Sequence, residues 1–430
     1  MSKSKALTLT AWLICGIGAI FYSYEYLLRI SPSVMEPALR THFNLTATGF
    51  GLLSSAYYYA YVPMQLPVGV LMDRYGPKRL LTFACMCCVF GTFIFCHTHD
   101  YHVAIIGRFF VGLGSAFAFV GVLKLATIWL PEDRLAMVAG LTSALGTVGA
   151  MIGDNLMTGF VNAVGWQMTD TYTAIFGLLL AVLLWFGIHD HKNDLKSGGT
   201  IDSFKQNLLD LNIIIRDRQI WLNGMFGCLI YLPTTVFAEL WGIPYLMHAH
   251  GMTESQAGFA NSILFFGFMI GAPLMGYISD HMQCRRKPMI VGACGAAVMM
   301  TLILYYPNLH HHTIHIFMFI LGLFYSAQAI VFAVGRELSP KEAAGTAIAA
   351  TNMFVMLGAM LLQPLIGKIL DWSVWLHHST GMTLKNIHVY ALTQYSANDY
   401  RFALSLIPIG IVIAAILTLF IRETHAQAHD

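Results

Sequence analysis

The chain has 430 residues, of which 57% are hydrophobic and only 11% charged, with a formal net charge of +2 and a mean hydropathy of +0.64. A water-soluble chain carries about 25% charged residues, so this one cannot cover a water-facing surface. Its long apolar blocks also exclude a disordered chain, a disulfide-stapled secreted scaffold and a nucleic-acid binder.

A helix crossing about 30 Å of hydrocarbon needs roughly 20 mostly apolar residues, because lipid offers no partner to bare backbone groups. Twelve such blocks follow one another, beginning near Thr8, Thr48, Arg79, His102, Arg134, Tyr172, Ile220, Gln256, Pro288, Ile314, Ala343 and Arg401. The expected fold is an all-α membrane protein with 12 transmembrane helices. The polar start from Met1 to Thr10 leads into a block too long for a signal peptide, so it reads as the first span. Lys and Arg accumulate on the cytoplasmic side of membrane proteins. Of the 24 here, only Arg40, Lys368, Lys385 and Arg401 fall on the face away from the termini, and Arg29, Arg108 and Lys124 fall within blocks. Both termini are therefore expected in the cytoplasm. Seven of the eight cysteines lie in or beside blocks and Cys284 lies in an inner loop, none with metal-site spacing; they read as small packing residues.

The chain repeats itself once. The segment Gly69, Asp73, Arg74, Gly76, Lys78 and Arg79 closes the second block, and Gly276, Asp280 and Arg286 close the eighth, about half a chain later. The stretch from Pro131 to Gly149 recurs, more loosely, from Pro340 to Gly358. This predicts two parallel six-helix halves, residues 1–188 and 219–430, joined by a cytoplasmic linker at 189–218. Duplicated halves suit a transporter whose site lies between them at the bilayer midplane, with access alternating as the halves rock.

With these motifs in their spans, the chain resembles the major facilitator superfamily over essentially its whole length. The Gly69–Arg79 segment matches that superfamily's loop motif, and the run Arg108, Gly112, Gly114, Ala116 resembles its fourth-span motif. The runs Leu28 to Met35, Phe119 to Thr127 and Leu240 to Leu246 look like a broad group of bacterial facilitator proteins. One departure stands out. The fifth-span motif of proton-drug exporters ends in Gly-Pro; here Gly140, Gly149 and Gly153 are in place, but Asp154 stands where Pro would be. That weakens a drug-export reading. The resemblance also implies an inner gate: Asp73 accepting from the N-terminus of the eleventh span, Asp280 acting likewise against the fifth, and Arg74, Lys78, Arg79 and Arg286 holding the loops, with Gly69 and Gly76 shaping the turn.

Ionisable residues inside spans are costly and mark functional candidates. Six lie away from span ends: Glu25, Arg29, Arg108, Lys124, Asp154 and Glu239. Glu25 and Arg29 are four apart, hence on one helix face, with Tyr22 continuing that face. Arg29 is the expected anion contact, and Glu25 the expected proton or amine site. Asp154, Glu239 and Arg108 are further proton-coupling candidates. Lys124 either lines the cavity or snorkels to headgroups. Ser54, Tyr58, Tyr61 and Gln65 form one polar-aromatic stripe on the second span. Tyr231, Thr235, Asn261, Tyr325, Gln328 and Asn352 supply further polar groups, either as pocket lining or as plain interhelical hydrogen bonds.

Most histidines fall on the outer side, with clusters at His97, His99, His102 and at His310, His311, His312, His315. They could sense pH or hold a borderline metal, but serve as well as polar substitutes for Lys or Arg; no metal site is assigned. No nucleophile–base set or phosphate loop appears, so no enzyme and no cofactor is expected. The reading is a monomeric secondary transporter of the bacterial inner membrane, moving a small carboxylate-bearing solute with protons as coupling partner. The rivals are a proton-driven exporter of an amphipathic drug or siderophore-like metabolite, and a transporter-like receptor or scaffold without turnover.

Overall fold

The computed structural model describes residues 3–131, 134–189, 216–306, 309–339, 344–378 and 395–425. Most of the linker expected at 189–218, together with Lys385 and His388, lies outside these residues. In chain order the long helices are α1 (Leu9–Val34), α2 (Ala47–Met64), α3 (Pro77–His97), α4 (Tyr101–Trp129), α5 (Met137–Val164), α6 (Trp166–Gly187), α7 (Arg218–His250), α8 (Glu254–His281), α9 (Arg286–Tyr305), α10 (His311–Glu337), α11 (Gly345–Leu376) and α12 (Ala397–Thr418). All but α2, eleven helices, are long and apolar enough to cross a bilayer. Large apolar side chains such as Leu179, Phe186, Val291 and Ile316 are more than half exposed on the outside of the bundle, where only hydrocarbon suits them.

The second expected span takes a different form. Its tyrosines and serines dilute the apolar character of α2, and the helix stops at Met64 and restarts as a short helix, Pro67–Tyr75. Pro63 and Pro67 have no N–H with which to continue the ladder. The stretch Gly242–Pro244 does not break α7: Pro233–Trp241 is π-helical and Gly242–His250 resumes as α-helix. Pro244 sits in the first turn of that segment, where its missing N–H costs nothing. A second π-turn, Gly153–Met157, interrupts α5. Such turns cluster at functional sites, and these two carry Glu239 and Asp154.

Helix α1 runs through the middle of the bundle, packed on α4, α5 and the π-segment of α7; α2 packs on α4 and α11, and α8 on α5 and α10. Tyr26 of α1 meets Tyr231 of α7, their hydroxyls 3.2 Å apart. The site therefore lies where helices from both parts of the chain converge.

The two ends of the bundle differ. At the end away from the chain termini, α2 and α11 are clamped together. A Cβ on Gly51 would stand 2.6 Å from the Gln363 carbonyl, and one on Gly367 would collide with the Ala47 carbonyl. Asp371 of α11 accepts from the Ala47 N–H at 3.2 Å and the Thr48 N–H at 3.0 Å, while the Tyr395 hydroxyl donates to Asp371 and accepts from Ala47. The open N-terminus of α2 is thus capped by a carboxylate from a helix some three hundred residues away, with the dipole in its favour. At the termini end, a Cβ on Gly69, Gly140, Gly276 or Gly345 would meet nothing within 4 Å.

The second loop motif is tied within its own part of the chain. Arg285 donates to Glu337 at 2.6 Å and to Ser279 at 2.9 Å, and pairs with Asp280. Arg286 donates to the last carbonyls of α12, Thr418 and Leu419. Glu423 accepts from the Arg285 and Arg286 N–H groups at the start of α9. Burial works against its charge, but these donors and the Cys284 thiol prevail and hold the carboxyl at about 2. A depressed carboxyl pKa stabilises the fold above the ordinary Glu range, and that contribution is lost only as pH falls towards 2.

The far-end clamp predicts that Asp371→Ala will accelerate amide hydrogen exchange over residues 47–51 at least tenfold, since the Thr48 N–H loses its acceptor and the Ala47 N–H keeps only the Tyr395 hydroxyl. Unchanged protection in that segment would show that Asp371 does not hold it.

Candidate functional site

The expected Glu25–Arg29 pair is the centre of a buried ion cluster. Arg29 is 2% exposed and Glu25 fully buried. Arg29 Nη2 donates to both Glu25 oxygens at 3.0 and 3.2 Å, and Nε donates to the Tyr57 hydroxyl at 3.1 Å. Tyr57 in turn donates to Glu25 Oε2 at 2.9 Å. Glu239 comes in from α7, with Oε1 3.8 Å from Arg29 Nη1; it accepts a hydrogen bond from Tyr58. One guanidinium therefore stands between carboxylates from two helices far apart in sequence.

Aromatic rings box in this cation. Its guanidinium carbon lies 4.3 Å from the Tyr26 ring centroid, 5.1 Å from Tyr61 and 5.5 Å from Tyr57. Tyr57 and Tyr61, one turn apart, stack at 5.5 Å. Cation–π attraction strengthens when the cation is desolvated, so this box offsets part of the cost of burying Arg29. Gly112 of the fourth-span motif makes the box possible: any Cβ there would collide with the Tyr57 backbone carbonyl, so α4 can press against α2 only as glycine.

Arg108 acts on the backbone. Pro32 cannot donate to the Leu28 carbonyl, and Arg108 Nη1 supplies that hydrogen bond at 2.8 Å while Nη2 donates to the Arg29 carbonyl at 3.3 Å. The Ser31 hydroxyl also donates to Leu28. The fourth-span arginine thus braces α1 at the turn that aims Arg29.

Other expected residues are placed as follows. Gln65 and Asn352 meet across α2 and α11, the Asn352 amide donating to Gln65 Oε1 at 2.8 Å. Tyr22 packs against Tyr26 and Phe119. Tyr325 accepts from the Thr234 hydroxyl at 2.8 Å and stacks on Phe268. The Thr235 hydroxyl donates to the carbonyl of Tyr231 on its own helix, while the Thr235 carbonyl accepts from Gln363. Gln328 is buried in the short turn Ser326–Ala329. Asn261 is drawn to Asp154, to which it donates at 2.9 Å.

One expected group is not brought to the cluster. Lys124 pairs with Asp73 at 2.6 Å, both partly solvent-exposed. Among the described residues Asp73 is thus engaged by α4, and Asp280 by Arg285. Arg74 and Lys78 lie over the rings of Tyr75 and Trp185, Arg79 is exposed, and Gly76 turns the chain at φ +81°.

Some residues of the site escaped the sequence reading. Tyr26 and Tyr57 precede Arg29 and Tyr61 by three and four residues, a helical spacing that would have pointed to them. Asp170 was missed because the sixth span was set to begin near Tyr172; the helix begins at Trp166 and buries Asp170 inside it.

A helical bundle whose ions are buried at the junction of distant helices has the architecture of a membrane transporter. The sequence profile described as Major Facilitator Superfamily matches residues 14–363 and 237–428. The chain belongs to the major facilitator superfamily: it is an integral membrane transporter and not an enzyme. A probable galactarate/D-glucarate transporter of Escherichia coli, GudP, is 23% identical over 86% of this chain and 88% of its own. A probable sulfoacetate transporter of Cupriavidus necator, SauU, is 24% identical over 64% of this chain and 66% of its own. In fold the chain is similar to a bacterial homologue of the human lysosomal transporter Spinster, solved inward-facing and unoccupied, at a TM-score of 0.74 and 16% identity over 96% of this chain and 97% of that one.

The bracing role predicts that Arg108→Met will lower thermal stability by about 2 kcal/mol or more, because two buried charge-assisted hydrogen bonds are lost and the Leu28 carbonyl keeps only the Ser31 hydroxyl. A melting temperature equal to wild type would refute it.

Proposed function

We infer that the protein carries a small carboxylate-bearing anion, of the hydroxylated acid class, through alternating access of two six-helix halves, driven by protons. The observation that supports this best is Arg29: a guanidinium, deep in the bundle, held by carboxylates rather than by backbone. A guanidinium is the natural receptor for a carboxylate. With Glu25 and Glu239 both ionised, the cluster of three carries a net negative charge and repels an anion. A proton on Glu239 removes the competitor across the interface and leaves Arg29 Nη1 available to the cargo. Binding of the anion is thereby tied to uptake of a proton.

The surroundings fit a polar, hydroxylated cargo. Tyr58, Tyr61, Gln65 and Asn352 offer hydroxyls and amides near the ion cluster, while Tyr22, Tyr231, Tyr325, Thr235 and Gln328 extend the polar lining through α1, α7 and α10. The names of GudP and SauU point to small acids as cargo in those relatives. The ends of the bundle fit a state closed at the far end and open at the termini end: the α2–α11 clamp is made, and Asp73 pairs with Lys124 of α4. In this reading α2 with its continuation Pro67–Tyr75 is the twelfth span, the termini are cytoplasmic, and the membrane is the bacterial inner membrane. The loop residues from Gly69 to Arg79, with Asp280 and Arg286, close the termini end when the clamp opens. Asp154 in place of the exporter proline favours uptake, and flux in proteoliposomes separates a transporter from a receptor.

Thermal-shift and calorimetric binding with galactarate, D-glucarate, L-galactonate and sulfoacetate test this directly. At least one should bind, more tightly at acid than at neutral pH, and Arg29→Gln should weaken it at least thirtyfold, as loss of a buried charged partner does. Full affinity in Arg29→Gln would remove the assignment.

A further inference from the structure

Asp154 is the feature that the central cluster does not use. It is fully buried in the π-turn Gly153–Met157 of α5, and Gly258 of α8 is pressed against its backbone carbonyl. Asn261 Nδ2 donates at 2.9 Å both to Asp154 Oδ2 and to the carbonyl of Ala238, the residue before Glu239. The other oxygens of the set, Asp154 Oδ1, Asn261 Oδ1 and Glu239 Oε1, are buried and accept no hydrogen bond among the described residues. A buried carboxylate with one amide donor and no ion-pair partner among the described residues costs several kcal/mol unless it is neutralised. Asp154 Oδ1 lacks a donor among the described residues, and a proton on it removes that charge.

A groove reaches the residue beside it in sequence. Next in sequence to Asp154, Asn155 donates to Ser262 at 2.6 Å. Asn155 lines a groove of about 440 Å³ with Ser255, Gln256, Phe259, His311, His312 and His315. That groove opens beside the N-terminal turns of α8 and α10, at the end of the bundle away from the chain termini.

We propose that Asp154 is a proton-carrying site distinct from the Glu25–Arg29–Glu239 cluster, loaded from the histidine-lined groove at the far end. A proton from the groove binds Asp154 Oδ1 and converts the carboxylate to the acid; it leaves by the same oxygen when the halves part. Asn261 is the positioning residue. Its single amide is shared between Asp154 and the π-segment that carries Glu239, so the charge on Asp154 alters the hold on α7. The titratable groups on the helices around it include Glu25 and Arg29 on α1, Glu239 and Tyr245 on α7, Glu254 on α8, and the three groove histidines on α10. The proposal rests on the reading of the chain as a proton-coupled transporter, but its test needs no cargo and can fail independently of Arg29.

The test is infrared difference spectroscopy of the full chain, taken between alkaline and acid pH, with a pH-dye count of protons bound. Wild type should show a carboxylic-acid carbonyl band that Asp154→Asn abolishes and Glu25→Gln and Glu239→Gln retain. Asp154→Asn, which matches the neutral acid in shape, should bind one proton fewer per chain. Asn261→Leu should move the frequency of that band, since the amide on Oδ2 is gone, and carries the test if Asp154→Asn does not fold. An Asp154→Asn spectrum and proton count equal to wild type would overturn the proposal. A band that sodium, but not choline, suppresses would overturn it too, in favour of a small-cation site.

Discussion

A charged guanidinium buried in a lipid-embedded bundle is the constraint to which the rest of the site answers. Hydrocarbon cannot solvate Arg29, so protein must do so on every side. Glu25 takes one terminal nitrogen, Tyr57 takes Nε, three tyrosine rings cover the guanidinium faces, and Glu239 approaches the remaining nitrogen from another helix. The partners come from three elements: α1 itself, α2 and α7. The cation therefore holds together helices from distant parts of the chain.

The same logic explains the irregular backbone nearby. Pro32 leaves a carbonyl in α1 that Arg108 satisfies. Glu239 and Asp154 both sit in π-turns, where the helix carries an extra residue per turn and re-aims its side chains. Regular helices place side chains on stripes; these distortions let carboxylates reach partners that a stripe would miss. In a membrane such backbone is tolerated only where protein buries it, and Glu239 and Asp154 are at most 1% exposed.

How much of this was legible in the sequence follows from the range of each interaction. Apolar block length exposed the spans, and i, i+4 spacing put Glu25 and Arg29 on one face, because both are local. The loop and fourth-span motifs pointed to the superfamily. What escaped was what depends on contacts between distant segments. Nothing near Ala47 signals that Asp371 and Tyr395 cap its helix, and nothing beside Asp73 signals that Lys124 takes it in this arrangement. Asp170 was lost to a span boundary misplaced by a few residues.

The most direct measurement is a high-resolution structure of the purified chain with galactarate at acid pH. The account predicts a ligand carboxylate within hydrogen-bond distance of Arg29, with Glu239 drawn away from it and the α2–α11 clamp still closed. Density for the ligand elsewhere in the bundle, with Glu25, Arg29 and Glu239 undisturbed, would contradict it.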